Sequence, residues 1–454
     1  MDYSLAAALW QQMWSGLRGA DDVPPPLAFS QPDTFHSAYA VSELAATSIG
    51  LATQALSDLL GRPAPVSVNV RLASRWFQHS FMPLNRPPAA LWDPFAGDYA
   101  TADGWVRLHT NAIHHRRAME QVLGVHVDRA ALAAEVHNWT AAALEQAVVD
   151  AGGCAAQMRS VGQWQQHPQG IAVSQEPLFA QQSTAAGNIP TWPLSAARPL
   201  RGIRVLDLTR IIAGPVATRF LASLGAEVLR IDPPDWQEPT LEEEITSGKR
   251  CARLDLKSAA GLAQLRALLS QADVLVHGYR ADALEKLGLD AATRQQLAPG
   301  LVDVSLNAWG WSGPWRNRRG FDSLVQMGCG IAHQGMVWSK SAKPTPLPVQ
   351  ALDHATGYLL AAAVLEGLRQ RCLQGTGWQA RLSLARTALL LQQHGDAPGG
   401  TQSGITPHPD DVQPALEITH WGIGTRLRAA SYLPGTAQLC ATPGVPLGSS
   451  AARW

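Results

Sequence analysis

From about residue 198 onward, short runs of Val, Ile and Leu alternate with stretches of helical periodicity. The segment LRGIRVLDLTRIIAGPVATRFLASLGAEVLRIDPP reads as strand, glycine-containing turn, helix and strand, and CARLDLKSAAGLAQLRALLSQADVLVHGY and GLVDVSLNAWGWSGP continue the pattern. Such alternation is typical of parallel β-α-β units whose sheet is covered on both faces. It predicts an α/β protein with a doubly wound, mostly parallel, Rossmann-like large domain. The first turn, RIIAGP, lacks the GxGxxG pattern of dinucleotide-binding proteins.

The chain before this region divides into three parts. Residues 1–87 are rich in helical patterns, and residues 88–182 combine a hairpin around Asp103-Gly104 with helices, as in a smaller α+β domain. Residues 183–198 are rich in Pro, Gly, Ala and Ser, a composition that indicates a linker. We therefore expect the large domain to begin at residue 199.

The stretch VQALDHATGYLLAAAVLEGL, residues 349–368, has one carboxylate, Asp353, at the start of an otherwise apolar helix. An acid at this position is commonly a helix cap, because backbone N–H groups and the helix dipole favour negative charge there. However, the helix is apolar on nearly every face, which predicts that it is buried. Asp353 is therefore either a cap or a functional group that lines an interior cleft.

One internal similarity links the two ends of the chain. Residues 42–77 and 352–391 have the same layout of apolar helix, Gly/Pro turn, short strand and second apolar stretch. A gapless match that aligns Leu56 with Leu365 puts Leu44 in the place of Asp353, with Glu43 one position away. The first copy is interpreted as structural, and chance resemblance of two Ala-rich helices is the alternative.

Composition excludes several classes of function. The 36 basic and 36 acidic residues balance and form no basic block, so we expect neither a nucleic-acid nor a membrane partner. The five cysteines are far apart and include no CxxC pair, which fits a reducing cytoplasm better than a disulfide framework. The N-terminus, MDYSLAAALWQQMW, resembles no signal peptide, and no run of residues is apolar enough to span a membrane.

Five ordered blocks between residues 198 and 390 resemble the class III CoA-transferases, the family that includes formyl-CoA and carnitine CoA-transferases and α-methylacyl-CoA racemases. The blocks are GIRVLDLTRIIAGPVATRFLASLGAEVLRIDPP, GKRCARLDLKSAAG, ADVLVHGYRADALEKLGL, LVDVSLNAWGWSGPWRNRRGFDSLVQ and DHATGYLLAAAVLEGLRQRCLQGTGWQARLSL. The resemblance implies that residues 199–395 form a large CoA-binding catalytic domain and that residues 396–454 are a closing segment.

The resemblance also implies a small domain and an interlocked homodimer. Family members place the small domain after the catalytic helix, whereas here the segment that resembles it, residues 88–182, precedes the large domain. The order therefore resembles a permuted or partly duplicated arrangement, with residues 1–87 contributing a second copy of the helix-strand unit.

The family's catalytic aspartate aligns with Asp353. The resemblance implies that this carboxylate attacks an acyl-CoA thioester to give a mixed anhydride and then an aspartyl-CoA thioester, which an acceptor carboxylic acid opens. The helix start is expected to favour the ionised form of Asp353, and nearby N–H groups could stabilise the oxyanions. CoA would be a substrate, and no permanently bound cofactor or metal is expected.

The CoA-binding residues follow from the same motifs. Lys286 and Arg319 are the charges expected near CoA phosphates, or else surface bases; Lys249 and Arg250 could likewise bind phosphate or face solvent. The full set of expected CoA contacts is Ile212, Ala213, Leu254, Asp255, Leu256, Lys257, Gly278, Tyr279, Arg280, Lys286 and Arg319.

Two alternatives to CoA transfer stay open. The first is an acyl-CoA racemase or isomerase, although the resemblance implies that racemases carry a histidine where this chain has Phe321, which cannot carry a proton. The second is a non-catalytic paralogue that binds CoA, favoured by the permuted order and by Ile212 where relatives often have a polar residue. The adjacent His114 and His115 are expected to face the surface rather than hold a metal, because neighbouring side chains on a helix diverge.

Overall fold

The computed structural model describes residues 1–62, 64–186, 188–395 and 405–454. Residue 187 of the predicted linker and the predicted start of the closing segment at residue 396 lie outside the described residues. The helices are α1 (Tyr3–Arg18), α2 (Val41–Leu59), α3 (Val70–Trp76), α4 (Ile113–Leu123), α5 (Arg129–Val136), α6 (Ala141–Asp150), α7 (Val161–Gln166), α8 (Pro168–Ser174), α9 (Ala213–Ser223), α10 (Glu242–Ile245), α11 (Ala259–Leu269), α12 (Ala291–Leu297), α13 (Asp322–Gly328), α14 (Ile331–Ser339), α15 (Ala351–Gln374) and α16 (Leu384–Gln393). The strands are β1 (Leu27–Ser30), β2 (Val66–Asn69), β3 (Phe81–Pro83), β4 (Gly97–Ala100), β5 (Trp105–Leu108), β6 (Ala155–Gln157), β7 (Ala180–Ala186), β8 (Arg204–Leu208), β9 (Glu227–Asp232), β10 (Lys249–Arg253), β11 (Val274–His277), β12 (Val302–Asn307), β13 (Thr376–Ser383), β14 (Glu417–Thr419), β15 (Gly422–Arg426) and β16 (Ser431–Tyr432).

The large domain is built on a seven-stranded sheet in the order β10-β9-β8-β11-β12-β13-β7. All neighbours pair in parallel except β7, which runs antiparallel to β13 with Arg381 opposite Ala180. Strand β7 therefore crosses the boundary expected between residues 182 and 183 and belongs to the large sheet. The structure confirms the mixed α/β class and the mostly parallel sheet.

Both faces of the sheet are buried, which explains why its strands read as continuous apolar runs. Val205 and Val276 point into a core shared with α9 and α15, whereas their neighbours Leu206 and Leu275 point into a second core shared with α11. Alternate side chains of one strand thus hold helices on opposite faces of the sheet.

The smaller α+β unit follows the N-terminal helices in the sequence and precedes this sheet. Strands β4, β5 and β6 form an antiparallel sheet, with the turn at Asp103-Gly104 closed by a hydrogen bond from Thr101 N–H to the Gly104 carbonyl (2.9 Å). Helices α4, α5 and α6 cover it around a separate core that includes Tyr99, Val106 and Leu144. This unit can therefore pack as one body against the large domain.

The N-terminal helix-strand unit packs against its C-terminal counterpart. Residues 41–76 follow the order helix, strand, helix, as do residues 351–393, and α2 lies along α15. Strand β2 pairs with β1 and with β16, so the C-terminal segment completes the sheet of the N-terminal unit. The two ends of the chain are consequently joined around α15, the helix that begins with the candidate nucleophile.

Candidate active site

Asp353 lies in the first turn of α15 and is 6% exposed. The helix is buried from Ala351 to Leu368, as its apolar sequence predicts. No hydrogen bond to the Asp353 carboxyl group occurs within the part of the chain that the structure describes. The side chain therefore does not cap the helix, and its carboxyl oxygens are available for chemistry.

The cap is Asp322, the first residue of α13. Its carboxylate accepts the backbone N–H of Asp353 (2.8 Å) and a hydrogen bond from the Gln326 amide, while the Gln326 carbonyl oxygen accepts the N–H of Leu347 (2.7 Å). The sequence does not reveal this role, although Asp322 directly follows Phe321 in one of the five blocks that resemble the family. Asp322 thus fixes both the start of α15 and the loop that leads to it.

Both carboxyl groups have a raised proton affinity. Burial raises the pKa of Asp322 to about 6, and burial followed by the charge of Asp322 raises the pKa of Asp353 well above its usual range. The expectation that the helix start favours ionised Asp353 is therefore wrong, because the raised pKa favours the protonated form. The dipole effect is smaller than the cost of charging two buried neighbouring carboxyl groups.

The smaller α+β unit covers this corner of the large domain. The His109 ring stacks on Phe321 with centroids 3.9 Å apart and planes at 4°, and His115 of α4 contacts the edge of the same ring. Burial lowers the pKa of His109 to about 3, so this imidazole is neutral at pH 7. Between the two units, Arg318 pairs with Glu145 at 2.8 Å.

A second group of side chains lies at the carboxyl ends of β8, β9 and β11. The Arg210 guanidinium lies between two rings, 4.7 Å from the centroid of Trp236 and 5.3 Å from that of Tyr279, and it donates to the Tyr279 hydroxyl (3.2 Å). Trp236 also faces His114 of the smaller unit, with ring centroids 6.3 Å apart. Ligands of open α/β sheets usually bind at this end of the strands.

Comparison with known proteins identifies the large domain. Residues 200–413 match the model of CoA-transferase family III. This segment belongs to that family. The N-terminal α+β unit lies outside the match.

Three relatives illustrate the extent of the similarity. An "Acyl-CoA transferase" of Gibberella moniliformis is 30% identical over 360 residues, which cover 73% of this chain and 62% of the relative. A "Succinyl-CoA:glutarate CoA-transferase" of Mus musculus is 30% identical over 201 residues, 41% of this chain and 46% of the relative. A "Probable fatty acyl-CoA transferase" of Mycobacterium tuberculosis is 33% identical over 213 residues, 43% of this chain and 53% of the relative.

A crystal structure of the Mycobacterium tuberculosis protein aligns with 44% of this chain and 59% of its own chain at a TM-score of 0.39. The chain spans about half to three fifths of the length of the curated relatives it matches.

The expected CoA contacts of this family III segment fall into three groups. Ile212 and Ala213 begin α9, and the Ala213 carbonyl lies against Gly357, one turn beyond Asp353. Tyr279 lies beside Arg210 at the carboxyl ends of the strands. The remaining expected contacts follow strands β10 and β11 or lie near the smaller unit, and they are the half-buried Leu254 and Leu256 and the exposed Asp255, Lys257, Gly278, Arg280, Lys286 and Arg319.

Several charged residues have partners that sequence analysis did not foresee. Lys286 pairs with Asp282 (2.5 Å), and Arg319 donates to the Gly152 carbonyl of the smaller unit (3.3 Å). Lys249 is buried and donates to Asp207 (3.0 Å), to Thr218 and to a backbone carbonyl, so it faces neither phosphate nor solvent. Its role is to hold α9 against the sheet.

Within the described ranges, no group of three or more His, Cys, Asp or Glu side chains could hold a metal ion. In the same ranges, no helix is both long and apolar enough to cross a membrane.

Proposed function

We propose that this chain transfers CoA from an acyl-CoA to a carboxylic acid and that Asp353 is the nucleophile. The observation that carries the proposal is a buried carboxyl group without a hydrogen-bond partner among the described residues, at the start of a buried helix in the segment that matches CoA-transferase family III. The relatives named above are transferases of acyl-CoA, which supports the same class of reaction.

The reaction conserves the thioester at every step. The Asp353 carboxylate attacks the acyl-CoA carbonyl, the C–S bond breaks, and a mixed anhydride and CoA thiolate form. The thiolate then attacks the aspartyl carbonyl of the anhydride, which releases the donor's carboxylate and leaves an aspartyl-CoA thioester. An acceptor carboxylate reverses the two steps, and Asp353 ends as a carboxylate.

The backbone N–H groups around Asp353 indicate where a tetrahedral oxyanion can be stabilised. The backbone N–H of Asp353 already donates to Asp322, so this group is not available to a tetrahedral oxyanion. The first turn of α9, at Ala213, supplies N–H groups that have no acceptor within the helix, and it lies next to α15. We assign oxyanion stabilisation to that turn. The expected CoA contacts remain part of the proposal.

The first test is intact-protein mass spectrometry after incubation with a panel of acyl-CoAs, followed by hydroxylamine trapping. A CoA adduct or hydroxamate that maps to Asp353 and is absent in Asp353→Ala supports the proposal. Glu43→Gln is the matched control, because Glu43 is a buried acid in the first turn of α2 but is occupied by the N–H of Asp2 (2.8 Å). A label on Glu43, or one that persists in Asp353→Ala, contradicts the proposal.

Racemisation is the second candidate, because His109 stacks directly on Phe321, the position where the family's racemases carry a histidine. Burial lowers the pKa of His109 to about 3, which makes its imidazole a weak base and leaves racemisation the less favoured of the two reactions. Exchange of the substrate's α-proton in deuterium oxide without any label on Asp353, lost in His109→Phe, would favour a racemase. CoA binding with neither exchange nor label would indicate a non-catalytic CoA-binding paralogue.

Location and assembly follow as expectations. The five cysteines are all free, as in a protein of the reducing cytoplasm. We also expect a homodimer, which light scattering of the purified chain would test.

A further inference from the structure

The buried carboxyl pair of Asp322 and Asp353 shares its hydrogen bonds unequally. Asp322 accepts three N–H groups, from the backbone of Leu352 and Asp353 and from the side-chain amide of Gln326. That amide is fixed in its orientation, because its oxygen accepts the N–H of Leu347 (2.7 Å). Within the residues that the structure describes, no donor reaches the Asp353 carboxyl. N–H donors stabilise a carboxylate, so the first negative charge of the pair belongs on Asp322.

The order in which the two groups ionise agrees with their hydrogen bonds. The pKa of Asp322 is about 6, whereas burial followed by the charge of Asp322 raises the pKa of Asp353 well above its usual range. Asp322 therefore ionises before Asp353. To charge Asp353 as well puts two carboxylates side by side in a buried site, which is unfavourable.

Other titratable groups around the pair are neutral or already paired. Arg107 of β5 acts on Asp322, but it is bound to Asp98 at 2.8 Å. His354, the next residue of α15, stacks on Phe77, and burial lowers its pKa to about 3. The remaining groups on neighbouring elements are the neutral thiol of Cys329, the neutral imidazoles of His109 and His115, Glu43 (bound by Asp2) and Arg219 (bound by Glu244). Among the described residues, Asp322 is thus the charge that acts on Asp353.

We propose that Asp322 is a positioning residue whose negative charge favours the covalent aspartyl intermediates over the free Asp353 carboxylate. This inference rests on the proposed CoA transfer through Asp353. When the CoA thiolate attacks the aspartyl carbonyl of the anhydride, a C–S bond forms, the C–O bond to the donor's acyl group breaks, and the donor leaves as a carboxylate. Asp353 is then an uncharged thioester, and its repulsion with Asp322 ends. The same charge makes the free Asp353 carboxylate more basic, and nucleophilicity rises with basicity within one class of nucleophile.

The equilibrium ratio of aspartyl-CoA enzyme to free enzyme tests this role. The full chain is incubated with acetyl-CoA, succinyl-CoA and octanoyl-CoA in turn, and intact-protein mass spectrometry measures the labelled fraction in wild type and Asp322→Asn. We expect the ratio to be about tenfold or more higher in the wild type at about pH 8 and the two proteins to converge as the pH falls to about 5. At low pH the free Asp353 is protonated in both proteins, so no repulsion is relieved. A ratio that is equal in the two proteins at about pH 8 would overturn the proposal.

A second variant separates charge from shape. Asparagine keeps an acceptor for the N–H of Asp353 but has no charge, whereas Asp322→Glu keeps the charge in a longer side chain. We expect the labelled ratio at about pH 8 to be closer to that of the wild type in Asp322→Glu than in Asp322→Asn. A purely structural role of Asp322 at the start of α15 predicts the opposite order, which would overturn the proposal. Circular dichroism checks the fold of each variant, and if Asp322→Glu unfolds, the pH dependence of the first comparison decides.

A measurement without substrate distinguishes failure of this inference from failure of CoA transfer. Isotope-edited infrared spectra of the free protein, with Asp353→Asn as the reference, follow the C=O band of the protonated Asp353 carboxyl as the pH rises. The band should disappear at a pH about one unit or more lower in Asp322→Asn than in the wild type. An unshifted titration in a wild type that is labelled by acyl-CoA would overturn the role of Asp322 alone. Absence of any label in the wild type would contradict the proposed transfer and this inference together.

Discussion

Replacement of Asp322 by asparagine should change how the stability of the protein depends on pH. Burial raises the pKa of this carboxyl from 3.8 to about 6. The native state therefore retains a proton that the unfolded chain has lost. A group whose pKa is raised in the native state contributes its full stabilisation at pH values below its pKa in the unfolded state. That contribution is lost as the pH rises through its pKa in the native state.

The expected magnitude follows from the shift. About two pKa units at about 1.4 kcal/mol each give about 3 kcal/mol, lost between about pH 4 and pH 6 in the wild type and absent from the variant. Asparagine keeps an acceptor oxygen for the N–H of Asp353 but turns an NH2 group towards the Gln326 amide donor, so the structural cost of the substitution is about 1–3 kcal/mol and independent of pH. Loss of the neighbouring charge also lowers the pKa of Asp353, which flattens the profile of the variant further.

Denaturant unfolding at a series of pH values, followed by tryptophan fluorescence, measures this difference. The free energy of unfolding of the wild type should fall relative to that of Asp322→Asn as the pH rises, with most of the change centred near pH 5. Asp410→Asn, on an exposed side chain, controls for replacing a carboxyl by an amide. A difference between wild type and Asp322→Asn that stays constant from pH 4 to pH 7 would refute a carboxyl group held in its protonated form by burial.

Three further outcomes are expected. The value of kcat/KM for CoA transfer should fall as the pH drops below the raised pKa of Asp353, because only the carboxylate attacks, and a pH–rate profile without an acid limb would contradict this. Gly357→Ala should lower the free energy of unfolding by about 1–3 kcal/mol, because its Cβ would lie 2.6 Å from the Ala213 carbonyl oxygen. Thermal unfolding measures the effect, with Gly162→Ala as the control because a Cβ there meets nothing within 4 Å. Equal unfolding midpoints for the two variants would disprove it. Arg318→Ala removes an ion pair between the two units, and it should cost about 2 kcal/mol in denaturant unfolding because Glu145 keeps Arg159 as a partner. Limited proteolysis of residues 88–182 should become faster, and unchanged cleavage would count against a role of this contact in holding the two units together.

The sheet was predictable because its signal is local. Each strand of the large domain carries its own apolar run and each helix its own periodicity, so the order of elements could be read without knowledge of their partners. The burial of Asp353 at a helix start was predictable for a related reason, since one acid stands at the beginning of a long apolar run. Strand β7 was missed because AQQSTAA has little apolar character, and its pairing with β13 depends on tertiary context.

The contacts that complete the candidate site were not predictable. The pairing of Asp322 with the start of α15 and the stacking of His109 on Phe321 join residues that are distant in the sequence. The direction of the pKa shift of Asp353 depends on the second carboxyl group and on burial, and a helix start in the sequence reveals neither. Lys249 was misread because lysine is rarely buried, and only its partners Asp207 and Thr218 explain the exception.

The antiparallel pairing of β7 with β13 has a practical consequence for dissecting the molecule. Strand β7 leaves the smaller unit and forms the outer edge of the large sheet, so a fragment that begins at residue 199 would lack it. The backbone N–H and C=O groups of β13 would then lie open along one side and could pair with another copy of the fragment. We therefore expect the large domain, expressed by itself, to self-associate or precipitate, although every residue of its family match would be present.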